Sequence, residues 1–186
     1  MIVAIQGERG SFSDQAAQQL LSTEFEMLCC TTFTDLFESV ASGSASHAVL
    51  PVRNSIAGIV LNNQERVVDG GFVVHESLLL PIRQCLIARP GAKPESIRRI
   101  ASHAVALQQC AKWIAAHAGC EAIPVWDTAG AVRELMAGTL NVDAVIASAV
   151  AAKIHGAEVL VDGIEDCAAN ATTFLLIGAV QKPIAE

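Results

Sequence analysis

The stretch His47-Ala48-Val49-Leu50-Pro51-Val52-Arg53-Asn54-Ser55 decides the fold class. Its first part is a nearly continuous apolar run, without the polar alternation of a half-exposed strand, and so reads as a strand buried on both faces of a parallel sheet. Asn54 and Ser55 then fall at its carboxyl end, the edge at which open α/β sheets bind ligands. Upstream, Ile2 to Gln6 reads as a strand, Ser13 to Ser22 as a helix and Glu26 to Thr31 as a second strand. Thr34 to Ser42 follows as a helix closed by Gly43, with Thr32 or Thr34 as its cap.

The same rhythm continues downstream. A helix is expected near Asn62 to Asp69, strands around Phe72 to Leu80 and Cys85 to Ala88, and a Pro-Gly loop at 90–94. Beyond it, Ile100-Ala101-Ser102 ends a strand, Ala104 to Ala118 has helical periodicity, Ala122 to Trp126 is a strand, and Thr128 to Ala137 is a helix. Ala144 to Ala147, Glu158 to Val161 and Thr173 to Ile177 close the series as apolar strands. This alternation predicts an α/β chain with two lobes, mainly parallel sheets and an inter-lobe cleft. Lobe 1 is placed at 1–76 plus 165–186, and lobe 2 at 77–164.

Composition narrows the function. Hydrophobic residues make up 52% of the 186 and charged ones 17%, which excludes a disordered chain. A formal charge of −7 argues against binding polyanions through bulk charge, so no nucleic acid is expected as partner. No run approaches the ~20 apolar residues of a membrane span. The amino terminus starts directly as a strand with no basic leader, and a cytoplasmic location is the expectation. None of the cysteines at 29, 30, 85, 110, 120 and 167 forms a C-x-x-C pair, and the histidines at 47, 75, 103, 117 and 155 show no H-E-x-x-H. No metal site is therefore expected.

Polar residues gather at strand-to-helix turns, where free backbone amides and a helix dipole favour an anion. The turns are Gly7 to Ser13, Arg53-Asn54-Ser55, Ser102-His103 and Asp127 to Gly130, and Asn170-Ala171-Thr172-Thr173-Phe174 opens a last strand. Taken singly each reads as a tight turn with a cap. Facing one cleft, they would form a small-molecule site rich in hydrogen-bond donors.

These segments also carry a resemblance. Gly7-Glu8-Arg9-Gly10-Ser11-Phe12-Ser13-Asp14-Gln15-Ala16 resembles the Gly-x-x-Gly-(Thr/Ser/Ala)-(Phe/Tyr)-Ser-x-x-Ala opening of prephenate and arogenate dehydratases. Pro51-Val52-Arg53-Asn54-Ser55-Ile56-Ala57-Gly58 is similar to their Pro-(Ile/Val)-Glu-Asn-Ser-x-x-Gly, and Ser102 to Cys110 to Ser-His-Pro-Gln-Ala-Leu-x-Gln-Cys. Leu80 to Leu86, Asp127 to Ala131, Ala144 to Ser148, His155-Gly156 and Ile164-Glu165-Asp166 match in order, and Asn170 to Phe174 resembles Asn-x-Thr-Arg-Phe. The match spans nearly the whole chain. It implies a periplasmic-binding-protein type II-like fold and the conversion of prephenate to phenylpyruvate in phenylalanine biosynthesis, by a cytoplasmic lyase without cofactors. It also implies Thr172 as the catalytic group and Ser11, Arg53, Asn54, Ser55, Ser102, Thr128, Asn170, Thr173 and Phe174 as substrate-binding candidates.

Three positions depart from that pattern: Arg becomes Thr173, Glu becomes Arg53, and Pro-Gln becomes Ala104-Val105. Loss of the motif Arg removes a bidentate donor for a carboxylate, and Arg53 reads equally as a replacement cation facing the substrate or as a solvated or salt-bridged surface residue. Relatives of this type usually continue into an ACT-type domain, and this chain, ending at Glu186, is expected to lack that domain and its control. The expected partner is a small molecule, prephenate or arogenate, and a homodimer is compatible with the composition. Three activities stay open: prephenate or arogenate dehydration, prephenate decarboxylation with the hydroxyl retained, and ligand binding without turnover.

Overall fold

The computed structural model describes residues 1–179, so the closing residues 180–186 of the expected lobe 1 lie outside the described part. In chain order the elements are β1 (Ile2–Gln6), α1 (Phe12–Leu20), β2 (Glu26–Cys30), α2 (Phe33–Ala41), β3 (His47–Asn54), β4 (Gly58–Ile59), α3 (Asn63–Asp69) and β5 (Val73–Pro81). Then come β6 (Cys85–Ala88), a 3-10 turn at Pro94–Ser96, β7 (Arg99–His103), α4 (Ala104–Gln109), α5 (Ala111–Ala116), β8 (Glu121–Val125), α6 (Thr128–Ala137), β9 (Ala144–Ala147), α7 (Ala149–His155), β10 (Glu158–Val161) and β11 (Ala171–Gly178).

By its contacts the chain divides into two units. Among the described residues unit 1 holds Met1–Gln6, Ser13–Leu80 and 171–179; unit 2 holds Gly7–Phe12 and Pro81–Asn170. Unit 1 carries a sheet of order β2-β1-β3-β11-β5, with β4 paired to β3. Unit 2 carries a sheet of order β10-β6-β9-β7-β8.

Both sheets are mixed. β2, β1 and β3 run parallel, as do β8, β7 and β9, and helical crossovers join the strands of each trio. β11 lies antiparallel to β3, and β6 antiparallel to β9 and β10. These added strands enter the sheets from the other unit or from a loop, and need no helix to reverse their direction.

Local chemistry explains the elements. Val3, Ala4 and Ile5 of β1 and Ala48, Val49 and Leu50 of β3 are buried, as their unbroken apolar runs require. α2 begins with a capping box: Thr32 Oγ1 accepts from Asp35 N at 3.1 Å, and Asp35 Oδ2 accepts from Thr32 N at 2.9 Å. Thr32, one of the two expected caps, is thus the one used. The helical stretch after residue 103 is interrupted at Cys110, where φ of −114° separates α4 from α5. α7 was not foreseen in the alternation. It is framed by Ser148, whose Oγ accepts from Ala151 N at 3.0 Å, and by Gly156 in the left-handed conformation.

Unit 2 buries Ile87, Val132, Leu135 and Val145 in one cluster and Leu86, Ile100 and Ile146 in another. Unit 1 buries Leu36, Phe37, Val40, Leu50 and Ile177 together. Among the described residues no helix is long and apolar enough to cross a membrane.

Candidate functional site

The sequence-selected residues fall into two groups, one in each unit. In unit 1, β3 and β11 are antiparallel neighbours in a register that sets Thr172 opposite Asn54 and Thr173 opposite Arg53. Residues 118 apart in sequence therefore become adjacent: Asn54 Nδ2 donates to Thr172 Oγ1 at 2.8 Å and to Ala171 O at 3.2 Å. The amide is oriented by its other end, because Asn54 Oδ1 accepts from Ile56 N at 2.9 Å and from Ala57 N at 2.8 Å. That Asx-type turn fixes which end of Asn54 meets the hydroxyl. Ser55 ties down the same corner: its amide donates to Ala171 O at 2.8 Å and its hydroxyl accepts from Ala171 N at 3.0 Å.

Asn54 and Thr172 are each only 7% exposed, so their hydrogen bond is shielded from water. Strand alternation sends Arg53 and Thr173 to the opposite face of the sheet. Arg53 is exposed there, and its guanidinium has no ion pair or hydrogen bond among the described residues. Phe174 is buried in the hydrophobic interior.

Unit 2 holds Ser11, Ser102, Thr128 and Asn170. Ser102 is fully buried and donates to Ile146 O at 2.6 Å, which staples β7 to β9. Thr128 is the first residue of α6, whose cap is Asp127, with Oδ2 accepting from Gly130 N at 2.7 Å. The Gly7–Phe12 loop lies close to this helix: a Cβ built on Gly7 would stand 3.8 Å from both Asp127 Oδ1 and Ser11 Cβ. Asn170 is buried, its carbonyl accepting from Ile82 N at 2.8 Å and its amide donating to Cys167 O at 3.0 Å.

Two features of this group escaped the sequence reading. Ser148 Oγ donates to Gly10 O at 2.6 Å, and the Glu8 carboxylate takes both Arg133 Nε and Nη2 at 2.8 Å. The Ser148 cap was visible as a Ser before a helical run ended by Gly156, whereas nothing local to Glu8 points to Arg133. Further along the same unit, Gln84 N donates to Glu165 Oε2 at 2.9 Å, and Cys85 Sγ to Asp162 Oδ1 at 3.2 Å. Burial first, and then Asp162, pushes the Cys85 thiol up to about 12. Burial, followed by Asp166 and Glu165, does the same for Cys110. Both are neutral, inert thiols.

The prephenate dehydratase family model matches residues 3–182. The chain belongs to the prephenate dehydratase family. Arogenate dehydratase 3, chloroplastic, of Arabidopsis thaliana is 36% identical over 185 residues, covering 98% of this chain and 42% of that protein. The chain thus spans less than half the length of this curated relative. A prephenate dehydratase from Arthrobacter aurescens, solved in complex with L-Phe, superposes with a TM-score of 0.89 at 26% identity, covering all of this chain and 63% of that one. GqqA, described as a novel type of quorum quenching acylase, superposes at 0.85 with 31% identity over all of this chain and 67% of its own. The α/β fold expected from the sequence is the one this family of dehydratases uses.

Proposed function

We propose that this chain converts prephenate to phenylpyruvate, a lyase step of phenylalanine biosynthesis, with Thr172 as the group that meets the departing hydroxyl. The observation that carries the reading is the Asn54 Nδ2 to Thr172 Oγ1 bond of 2.8 Å. An amide nitrogen can only donate, so the Thr172 oxygen is the acceptor and the threonine keeps its own proton to give. No described residue takes that proton, which leaves it for a ligand oxygen.

In the reaction the bond to the ring carboxylate breaks and carbon dioxide leaves. Its electron pair enters the ring, and the ring C–OH bond breaks as the ring becomes aromatic. A threonine hydroxyl is too weak an acid to act alone. Its contribution is a preoriented hydrogen bond to the leaving oxygen as negative charge develops there, and the departing hydroxide takes a proton from solvent to leave as water. Ser55 and Asn54 hold the strand corner on which this donor stands, and Ser11, Ser102, Thr128 and Asn170 are proposed substrate-binding residues on the strength of the family pattern. Arg53, Thr173 and Phe174 complete that set, Arg53 only if its long side chain reaches around the strand end.

Arogenate is the second substrate in view, because the Arabidopsis relative is named for it. The setting we propose is the cytoplasm, a reducing compartment that suits the buried thiols Cys30, Cys85 and Cys110.

The test is turnover of prephenate and of arogenate by the wild type, Thr172→Ala and Thr172→Ser, following phenylpyruvate or phenylalanine and mapping other products by NMR. Loss of about 10²- to 10³-fold in kcat for the alanine variant, with partial rescue by serine, is expected of a preoriented donor to the leaving oxygen. Binding without turnover, a non-aromatic product, or hydrolysis of an acyl amide in place of dehydration would overturn the reading.

A further inference from the structure

The loop Gly7–Phe12 follows β1 and leads into α1, yet by its contacts it belongs to unit 2. Two contacts fix it around Gly10. Ser148 donates to the Gly10 carbonyl at 2.6 Å, and the Ala151 backbone comes so close that a Cβ on Gly10 would lie 2.7 Å from Ala151 Cα. Neither reaches the start of the loop, where Gly7 has a φ of 98° and a Cβ would meet Asp127 Oδ1 and Ser11 Cβ only in ordinary van der Waals contact at 3.8 Å.

Glu8 supplies the missing anchor. Its two carboxylate oxygens meet Arg133 Nε and Nη2 at 2.8 Å each, the fork-to-fork geometry that fixes orientation as well as distance. The same carboxylate lies over the first turn of α6, because a Cβ on Gly130 would stand 3.2 Å from Glu8 Oε1. That turn carries Asp127 and Thr128, and Ser11 N donates back to Glu8 O at 3.1 Å. Glu8 is therefore bonded to the helix that bears Thr128 and, through its own carbonyl, to Ser11.

We propose that Glu8 and Arg133 are a positioning pair that holds Ser11 in register with Thr128 for an anionic substrate. This rests on the dehydratase reading, in which both residues bind that substrate. Arg133 also has an electrostatic part: it lies beside both the Glu8 and the Asp127 carboxylates, and without it that helix end would be more negative and would repel a dianion. The two partners are thus unequal, since Glu8→Gln removes the clamp and leaves a cation, whereas Arg133→Gln removes the clamp and leaves an anion.

The experiment compares wild type, Glu8→Gln, Arg133→Gln and the exchanged pair Glu8→Arg with Arg133→Glu. Two readouts are taken: kcat and KM for prephenate, and hydrogen exchange of the peptide spanning residues 7–12. With side chains 38% and 50% exposed, the pair is expected to change KM by about fivefold when Glu8 is altered and by more when Arg133 is, with kcat within about twofold. Exchange in the loop should quicken in both single variants, and the exchanged pair should restore both readouts.

Unchanged exchange in the single variants would show that the loop does not depend on the pair, and would overturn the proposal. A KM that stays raised in the exchanged pair, although its loop is again protected, would overturn it equally. If the wild type turns over neither prephenate nor arogenate, the dehydratase reading fails by itself, and loop exchange then decides whether the clamp stands.

Discussion

The two groups of candidate residues are held by different physics. In unit 1 the Asn54–Thr172 pair is a buried, uncharged hydrogen bond between adjacent antiparallel strands, fixed by sheet register and an Asx-type turn. In unit 2 Ser11 and Thr128 lie on a loop and a helix end, the loop tied to that helix by a half-exposed ion pair and to the start of α7 by a serine-to-carbonyl bond. Register cannot slip without turning every side chain of a strand to the other face, whereas a loop held by a few contacts can open locally. The first arrangement suits a group that must be placed to a fraction of an ångström, and the second suits groups that only grip.

The largest effect on stability should come from the loop's tightest contact. Gly10 has a φ of 88° and no room for a Cβ against the Ala151 backbone, whereas Gly7, with a φ of 98°, has its nearest atoms at 3.8 Å. Gly10→Ala should therefore cost about 3 kcal/mol, combining left-handed strain with overpacking, and Gly7→Ala about 1 to 2 from strain alone. Urea denaturation of both variants measures the difference. Equal losses would mean that α7 yields to the added methyl, and the loop would then be less firmly held than the comparison supposes.

A smaller effect is read through pH. Cys85 and Cys110 have their thiols raised by burial from 9.0 to about 12 in the folded protein, so the unfolded chain loses its protons first. Their contribution to stability is whole below pH 9 and is lost as pH rises from there toward the folded value. At pH 10 each thiol should account for about 1 kcal/mol of lost stability. His47 in unit 1 behaves oppositely: burial, and then His75, lowers its folded pKa, so its penalty grows as pH falls below 6.5. Reduced protein unfolded in urea at pH 8 and pH 10, with Cys85→Ala and Cys110→Ala as controls, tests the alkaline limb. An equal alkaline loss in the alanine variants would remove the thiols from the account.

Much of this was legible in the sequence where local pattern decides structure. Unbroken apolar runs marked β1, β6 and β9, and Asp127 before Thr128 to Ala137 marked α6, because burial and capping act over a few residues. α7 is less legible: its short run of small apolar residues has no strong helical periodicity, and only the flanking Ser148 and Gly156 mark its ends. What stayed hidden were pairings across long separations. Asn54 with Thr172 and Glu8 with Arg133 are 118 and 125 residues apart, and only the topology joins them. The turn motifs marked Ser11, Asn54 and Thr128, yet they could not show that Ser102 spends its hydroxyl on Ile146.

The departures from the family pattern acquire a shared meaning in the same way. Where that pattern has Glu and Arg, this chain has Arg53 and Thr173, and the register makes the two positions direct cross-strand partners. An opposed pair of zero net charge has become a single cation, so the strand end gains one unit of positive charge on the face away from Thr172. A guanidinium placed there acts on a dianionic substrate mainly at a distance, through solvent. Arg53→Ala should accordingly raise KM for prephenate by only about two- to threefold at low ionic strength, and the difference should vanish near 0.5 M salt as screening shortens its reach. A rise of about thirtyfold that persists in salt would show instead that Arg53 bends around the strand end and grips a carboxylate directly. The unit 1 group would then rest on a charge after all, and the contrast between a neutral, register-fixed site and an ion-paired one would have to be redrawn. No change at any salt would remove Arg53 from substrate binding.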